Sequence, residues 1–478
     1  MSSAAPASAT TPAAAAAAEN AVKGGSAAKM AAVDNGSVVG SMKSVVSSKG
    51  AEQCIVSHRG YVPPIRQTGW INVIFIILAD LVGTGVMSLP KDFADIGYIP
   101  GVLILAVFGA LTFFSGILLW RMHMTYPSGI TYGNLADAIG GVHLKRTLFC
   151  FVFGYFAFVL VIYIKNVAIA LQNIFWMFDV CRYWFALAAL GILIPLCQLR
   201  TLHSVSFAGM VSMLMIILVV CMLTFDAYAT WDDRIKEEVV VAPVINPGFT
   251  TYLSTLIDLV FAYGGQGLYL EVMAEMKNPV DFKKSLYFIS SSMVVFYLWS
   301  ATSLYLRYGH FSQGSILYTI RGSAFKSVAS VFFFVHVCIS FCLIAQVVNR
   351  ALHVRIAPKS VNKGDRTETI QWFCISVCTA VAAWLVCMIV PFITDIQNII
   401  SAVCTGPLTY FFPAFLYVLS CRKQGHAISK VWEWPILAFM MVIGVVFASA
   451  GTVTSFMTFA DNLRTEHAHP FSCIMHST

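Results

Sequence analysis

An all-α integral membrane protein with about eleven transmembrane helices is the fold class predicted by this sequence. Three observations predict it. Of the 478 residues, 58% are hydrophobic and only 11% are charged, with a mean hydropathy of +0.77. A soluble domain carries about 25% charge. Apolar segments long enough to cross a bilayer recur along the chain, and each must satisfy its own backbone, which leaves helices as the spanning element. Two of these segments are broken by glycine at matching places, at Gly83-Thr84-Gly85 and at Gly264-Gly265-Gln266-Gly267. Paired interruptions in two halves of a polytopic chain point to a transport site between 5+5 inverted repeats, with helices 1 and 6 broken.

The elements follow in order. Residues 1–66 are rich in Ala, Ser and Gly without apolar periodicity, and read as a disordered cytosolic tail. The tail lacks the apolar core of a secretory signal, and its one glycosylation sequon, at Asn35, is placed in the cytosol. Residues 67–460 form the transmembrane domain. Its spans are read at 70–90, 99–123, 147–177, 183–199, 204–227, 249–275, 284–307, 324–352, 369–391, 393–420 and 434–458. Residues 461–478 form a short extracytosolic tail. With the N-terminus in the cytosol, 21 of the 30 lysines and arginines fall on inner segments, as the positive-inside rule requires. An odd number of spans puts the C-terminus outside. Repeats one and two then start with oppositely directed broken helices.

The net charge of +7 reports this topology and gives no reason to expect nucleic acid as a partner. The thirteen cysteines are scattered, mostly in apolar segments, with no metal-ligand spacing. No metal or cofactor is expected, apart from a proton or sodium ion for coupling. Cys181 and Cys473 fall on the same outer side, which permits a disulfide between them but gives it no further support. No P-loop or HExxH is present, and no histidine cluster lies in a span, which argues against a membrane enzyme. A nutrient receptor without transport is the other rival class, kept open by the long N-terminal tail.

Four stretches carry a resemblance to the amino acid/auxin permease family, closest to its plant lysine–histidine and general amino acid permeases. They are Leu81 to Pro90, Thr131 to Leu135, Phe261 to Gly265 with Leu270-Glu271, and Pro407 to Pro413. His336 also looks like that family's eighth-helix histidine. The resemblance covers about residues 65–460. It implies a leucine-transporter-type fold and secondary active amino acid uptake, commonly proton-coupled among plant-like members. The expected protein is a monomer in the bilayer, at the plasma membrane or else a vacuolar or lysosomal membrane. Neutral or broad amino acid substrates are expected, ahead of cationic amino acids, an auxin-like acid or sodium coupling.

The chemistry of an amino acid zwitterion assigns the site residues. Helix N-termini offer unpaired N–H groups to a carboxylate, and C-termini offer carbonyls to an ammonium. Carboxylate binding is assigned to Gly83, Thr84 and Gly85, and ammonium binding to carbonyls near Leu81, Phe261 and Ala262, with Tyr263 and Gly264 completing the second break. The same glycines would also serve plain close packing of helices. Asp80 and Lys165 are charges near mid-depth that depart from the family pattern, and a buried charge is costly unless paired. They are expected to pair beside the substrate, with a structural pair remote from it as the alternative. Asp258 either draws cations in or pairs at the vestibule. Glu271 is a gate, a proton site or a salt-bridge residue. His336 and Ser340, four apart on one helix face, are candidates for coupling. Tyr163 either lids the pocket or packs. Thr409 is read as part of a helix kink beside Pro407.

Overall fold

The computed structural model describes residues 66, 68–178, 180–198, 202–229, 248–319, 324–361, 364–389, 393–425, 428 and 430–465. The expected tail at 1–66, except for Arg66, and the end of the chain beyond Thr465 lie outside the described residues. Those described fall within one compact unit, Pro63–Thr478.

That unit is built from α1 (Trp70–Leu81), α2 (Leu89–Ile96), α3 (Tyr98–Thr125), α4 (Tyr132–Gly140), α5 (Val142–Ile174), α6 (Arg182–Leu196), α7 (Leu202–Ala229) and α8 (Phe249–Ala262). It continues with α9 (Gln266–Glu275), α10 (Phe282–Tyr308), α11 (Ala324–Ile356), α12 (Arg366–Ile389), α13 (Ile393–Ile400), α14 (Phe412–Gln424), α15 (Glu433–Val446) and α16 (Thr452–Thr465). Among the described residues, eight helices are long and apolar enough to cross a bilayer. The predicted spans at 70–90, 183–199 and 249–275 are shorter or divided. The first is α1, a 3-10 turn at Thr84–Met87 and then α2; the last is α8 followed by α9.

The first break lies where the glycines placed it, but the second half-helix runs six residues past Pro90, to Ile96. Pro90 does not stop it, because proline fits the first turn, where its missing N–H is unused. Gly97 does stop it: its φ of 87° turns the chain into α3, a conformation glycine adopts without a Cβ penalty. The tenth predicted span is continuous from Thr394 to Gln424 but contains π-helical turns at Ser401–Thr405 and Pro407–Phe411. Such turns free carbonyls from the helical ladder. Two of them find side-chain donors: Tyr132 Oη donates to Leu408 O at 3.0 Å, and Ser115 Oγ donates to Thr409 O at 2.5 Å. The final helix carries a third π turn at Phe447–Gly451 and runs to Thr465, beyond the expected boundary at 460.

Long helices enclose the broken ones. α11 packs along α5 and α7, α1 lies against α7 and α10, and α2 lies against α8 and α10. The two breaks interlock. A Cβ added at Gly85 would come within 2.7 Å of Ala262 Cα, and one added at Gly265 would strike the Leu81 side chain. Each break therefore presents a glycine to the other's last helical residue. The methyl of Gly85→Ala has nowhere to go, since its neighbour is backbone. Overpacking of this kind costs about 1–3 kcal/mol. Gly85→Ala should lower the detergent melting temperature and the monodisperse yield, measured by fluorescence-detected size exclusion, more than Gly191→Ala, where a Cβ meets nothing within 4 Å.

Candidate functional site

At the first break, α1 ends at Leu81 and Gly83 N–H turns back to Leu81 O at 3.1 Å. The next segment begins as a 3-10 turn at Thr84. Its leading N–H groups have no partner within the helix by construction, so Thr84 and Gly85 carry the donors here, whereas Gly83, assigned with them to a carboxylate, directs its N–H to Leu81 O. The second break mirrors this. α8 ends at Ala262, Gly264 N–H returns to Phe261 O at 3.0 Å, and α9 starts at Gln266.

The carbonyls expected to hold an ammonium are partly engaged. Tyr297 Oη lies 2.9 Å from Leu81 O and 2.7 Å from Ala262 O, so one hydroxyl is shared between the C-terminal ends of both half-helices. Tyr155 Oη donates to Gly264 O. Tyr263 points away from the centre: its hydroxyl donates to Leu105 O on α3 at 2.9 Å, and its ring packs on Tyr297. It buttresses the break and does not line it. Tyr297 and Tyr155 are functional candidates missed by sequence reasoning. Tyrosines are common enough in apolar spans that nothing in the local sequence marked these two.

Asp80 and Lys165 do not form the expected pair. Tyr163 Oη donates to Asp80 Oδ1 at 3.1 Å. Lys165 follows Tyr163 by two residues on α5, which turns it to the far side of the helix. Its electrostatic partners are Cys387, Arg182 and Asp395. The alternative, a structural Asp80–Lys165 pair remote from the substrate, fails for the same reason. Asp80 instead belongs to a ring of tyrosines, with Tyr155, Tyr163, Tyr269 and Tyr297 all within its electrostatic reach.

His336 and Ser340 both face α1. Ser340 Oγ donates to Ala79 O at 2.7 Å, and His336 Nδ1 lies 2.8 Å from Ser212 Oγ. His336 Nε2 is buried without a partner and sits where a Gly83 side chain would be, 2.8 Å from an added Cβ. Glu271 faces Arg350 and Glu275, and Arg350 approaches Glu275 at 3.9 Å.

Asp258 has a neighbour that the sequence reading omitted. Its carboxyl group lies within electrostatic reach of that of Asp92 on α2, and Ser88 lies against Asp258. Both aspartates are buried. The adjacent cation, Lys91, is bound to Asp95. Asp92 Oδ2 and Asp258 Oδ1 are each buried without a hydrogen-bond partner. The signal for Asp92 was available, because Lys91 and Asp95 are four apart and would pair on one helix face, leaving Asp92 turned inward.

Thr409 is more than part of a kink: its hydroxyl donates to Gln266 Oε1 at 2.9 Å. Away from the breaks, an apolar crevice of about 460 Å³ between α5, α11 and α12 is lined by residues such as Phe153, Leu352 and Val386, with no charged side chain. Cys181 is disulfide-bonded, and Cys473 lies outside the described residues.

Residues 66–457 match the family model described as "Transmembrane amino acid transporter protein". The chain belongs to that family. Members of it are transporters and not enzymes. Its similarity reaches the N amino acid transport system protein of Neurospora crassa, 24% identical over 85% of this chain and 88% of that protein. It also reaches the lysine histidine transporter-like 4 protein of Arabidopsis thaliana, 21% identical over 81% of this chain and 88% of that protein. Vacuolar amino acid transporter 3 of Schizosaccharomyces pombe is 22% identical over 81% of this chain, which spans 58% of that longer protein. Among solved structures, MhsT in complex with L-phenylalanine superposes with a TM-score of 0.57 at 10% identity, over 82% of this chain and all of that one. At that identity the likeness establishes the leucine-transporter-type fold of this amino acid transporter.

The Asp92–Asp258 contact gives a sharp test. Asp92→Ala leaves Asp258 buried without its polar neighbour, which should cost about 1–3 kcal/mol. Asp92→Asn offers a donor to Asp258 and should stay within about 1 kcal/mol of wild type. Thermal melting of both variants in detergent checks this ordering; equal melting temperatures would refute the contact's contribution.

Proposed function

We propose that this amino acid transporter is a secondary active symporter that moves neutral or broad amino acids with protons by alternating access. One observation carries the reading: two interrupted helices meet mid-chain, with helix-start N–H groups at Thr84 and Gly85 and helix-end carbonyls at Leu81 and Ala262 within one interlocked junction. These ends suit the two charges of a zwitterion. Tyr297 shares its one proton between both carbonyls, so an ammonium would compete with it or bind on their remaining lone pairs.

Proton coupling is supported by the groups beside the junction. Asp80 lies one residue before Leu81 and accepts from Tyr163, Asp92 and Asp258 are buried close together, and His336 Nε2 faces Gly83. We place the protein at the plasma membrane as a monomer, with the N-terminus in the cytosol, on the distribution of its basic residues. Two fungal relatives are named as vacuolar transporters, so a vacuolar position of the tagged protein by microscopy would overturn that placement.

Purified protein in liposomes should take up labelled amino acids saturably. Uptake should rise with an inward proton gradient, collapse with a protonophore and ignore removal of sodium. Asp80→Asn should cut gradient-driven uptake by about tenfold or more, since about 1.4 kcal/mol at a buried charge is tenfold. Tyr163→Phe, which loses one hydrogen bond, should cut it by about two- to tenfold. Sodium-dependent uptake, or full activity in Asp80→Asn, would refute the coupling assignment.

A further inference from the structure

Gln266 opens α9, directly after the second break. Its amide orientation is fixed by two donors that converge on Oε1: Gly265 N–H at 3.1 Å and the Thr409 hydroxyl at 2.9 Å. The nitrogen Nε2 therefore faces the other way with both its N–H groups. It is buried, has no acceptor, and belongs to a residue only 1% exposed. A buried amide donor without a partner carries its full desolvation cost, and native proteins seldom leave one unexplained.

It does not stand alone. Thr405, one turn before Thr409, presses its methyl against Gly264 and leaves Oγ1 unpartnered. Ser401, a turn earlier, also has an unpartnered buried hydroxyl, as does Tyr269, three residues after Gln266. Ser401 and Thr405 bound the first π-helical turn of the tenth span, and π turns concentrate at functional sites. Gly264 lets Thr405 approach this closely, since a Cβ there would overlap the threonine methyl. The backbone break and the π turn thus bring Gln266 and Thr405 together at the start of α9, with Ser401 one turn before Thr405 and Tyr269 one turn into α9. None carries a formal charge. Gln266 Nε2 is donor only, and the three hydroxyls both donate and accept.

We propose that Gln266, Thr405, Ser401 and Tyr269 form a subsite for the substrate's side chain, matched to an uncharged group that both donates and accepts, a carboxamide above all. This rests on the reading that the interlocked breaks hold the amino acid. A carboxamide oxygen meets Gln266 Nε2, and its nitrogen meets the hydroxyls of Thr405 and Ser401. An isosteric apolar side chain leaves all of these groups bare, which is the situation in which binding sites discriminate most strongly. A charged side chain meets no counter-charge within the set.

The test compares glutamine with leucine, which are close in size. In liposomes, the wild type should show a half-inhibitory concentration at least tenfold lower for glutamine than for leucine against uptake of a labelled substrate. Thr405→Val keeps the methyl on Gly264 and removes the hydroxyl; it should reduce that ratio at least fivefold. Thr405→Ser restores the hydroxyl and should recover the ratio. A ratio unchanged in Thr405→Val, or a wild type that does not favour glutamine, overturns the subsite. Melting of the purified protein with either amino acid separates this from the transport reading. Glutamine should raise the melting temperature of wild type and Thr405→Ser more than leucine does, and lose that advantage in Thr405→Val, whether or not liposomes accumulate substrate. Absence of uptake with this pattern intact would sink symport and spare the subsite; uptake without the pattern would do the reverse.

Discussion

The mutual packing of the two helix breaks is the constraint on which the rest of this structure depends. Each break places a glycine against the last helical residue of the other, Gly85 on Ala262 and Gly265 on Leu81. That closeness brings two helix ends near enough for a single hydroxyl, Tyr297 Oη, to bridge both terminal carbonyls. In a bilayer no water stands ready to satisfy broken backbone, so the neighbouring spans must do it. α5 supplies Tyr155, α10 supplies Tyr297, and α11 supplies Ser340 to Ala79 O. These hydrogen bonds add fixed points to the apolar packing that joins the surrounding helices.

Charge is handled by the same economy. Asp80 meets a tyrosine hydroxyl and a ring of phenols, and Asp258 meets a second aspartate. Lys165 is turned to α12 and α13, and Glu271 faces Arg350. An uncompensated charge at mid-depth would cost at least about 2.5–3.5 kcal/mol on the insertion scale. Tyr163 serves Asp80 because a phenol donates one hydrogen bond without adding charge.

The fold was largely readable from the chain, and the site only in part. Apolar length and the two glycine clusters located the broken helices because both are one-dimensional signals. The boundary past Pro90 was missed because proline's effect depends on whether it falls in a first turn. The Asp80–Lys165 pairing failed on geometry that a string of letters hides: Tyr163 and Lys165 are neighbours in sequence and opposite in space. The partnership of Asp92 with Asp258 joins residues far apart in the chain, as does that of Gln266 with Thr409. No local pattern encodes such contacts. The resemblance of Pro407 to Pro413 to a family motif marked the tenth span, but its π turns and their reach to the second break emerged only from the fold.

The four half-helices pair crosswise, and this decides what the junction can do. α1, before the first break, joins the end of α9, after the second: Thr68 N–H donates to Glu275 O at 3.1 Å and Lys277 N–H to Thr68 O at 3.0 Å. α2, after the first break, joins α8, before the second, through Asp92 and Asp258. The two couples therefore lie on opposite sides of the junction, one joined by backbone hydrogen bonds and the other by the approach of two buried carboxyl groups. Loosening one couple need not loosen the other, because the chain connecting them is interrupted at the breaks, where φ and ψ changes are least costly. Alternating access requires two barriers that open at different times. The crosswise pairing supplies two separable contacts, and their chemistries differ: backbone hydrogen bonds join one, and two buried carboxyl groups approach each other in the other.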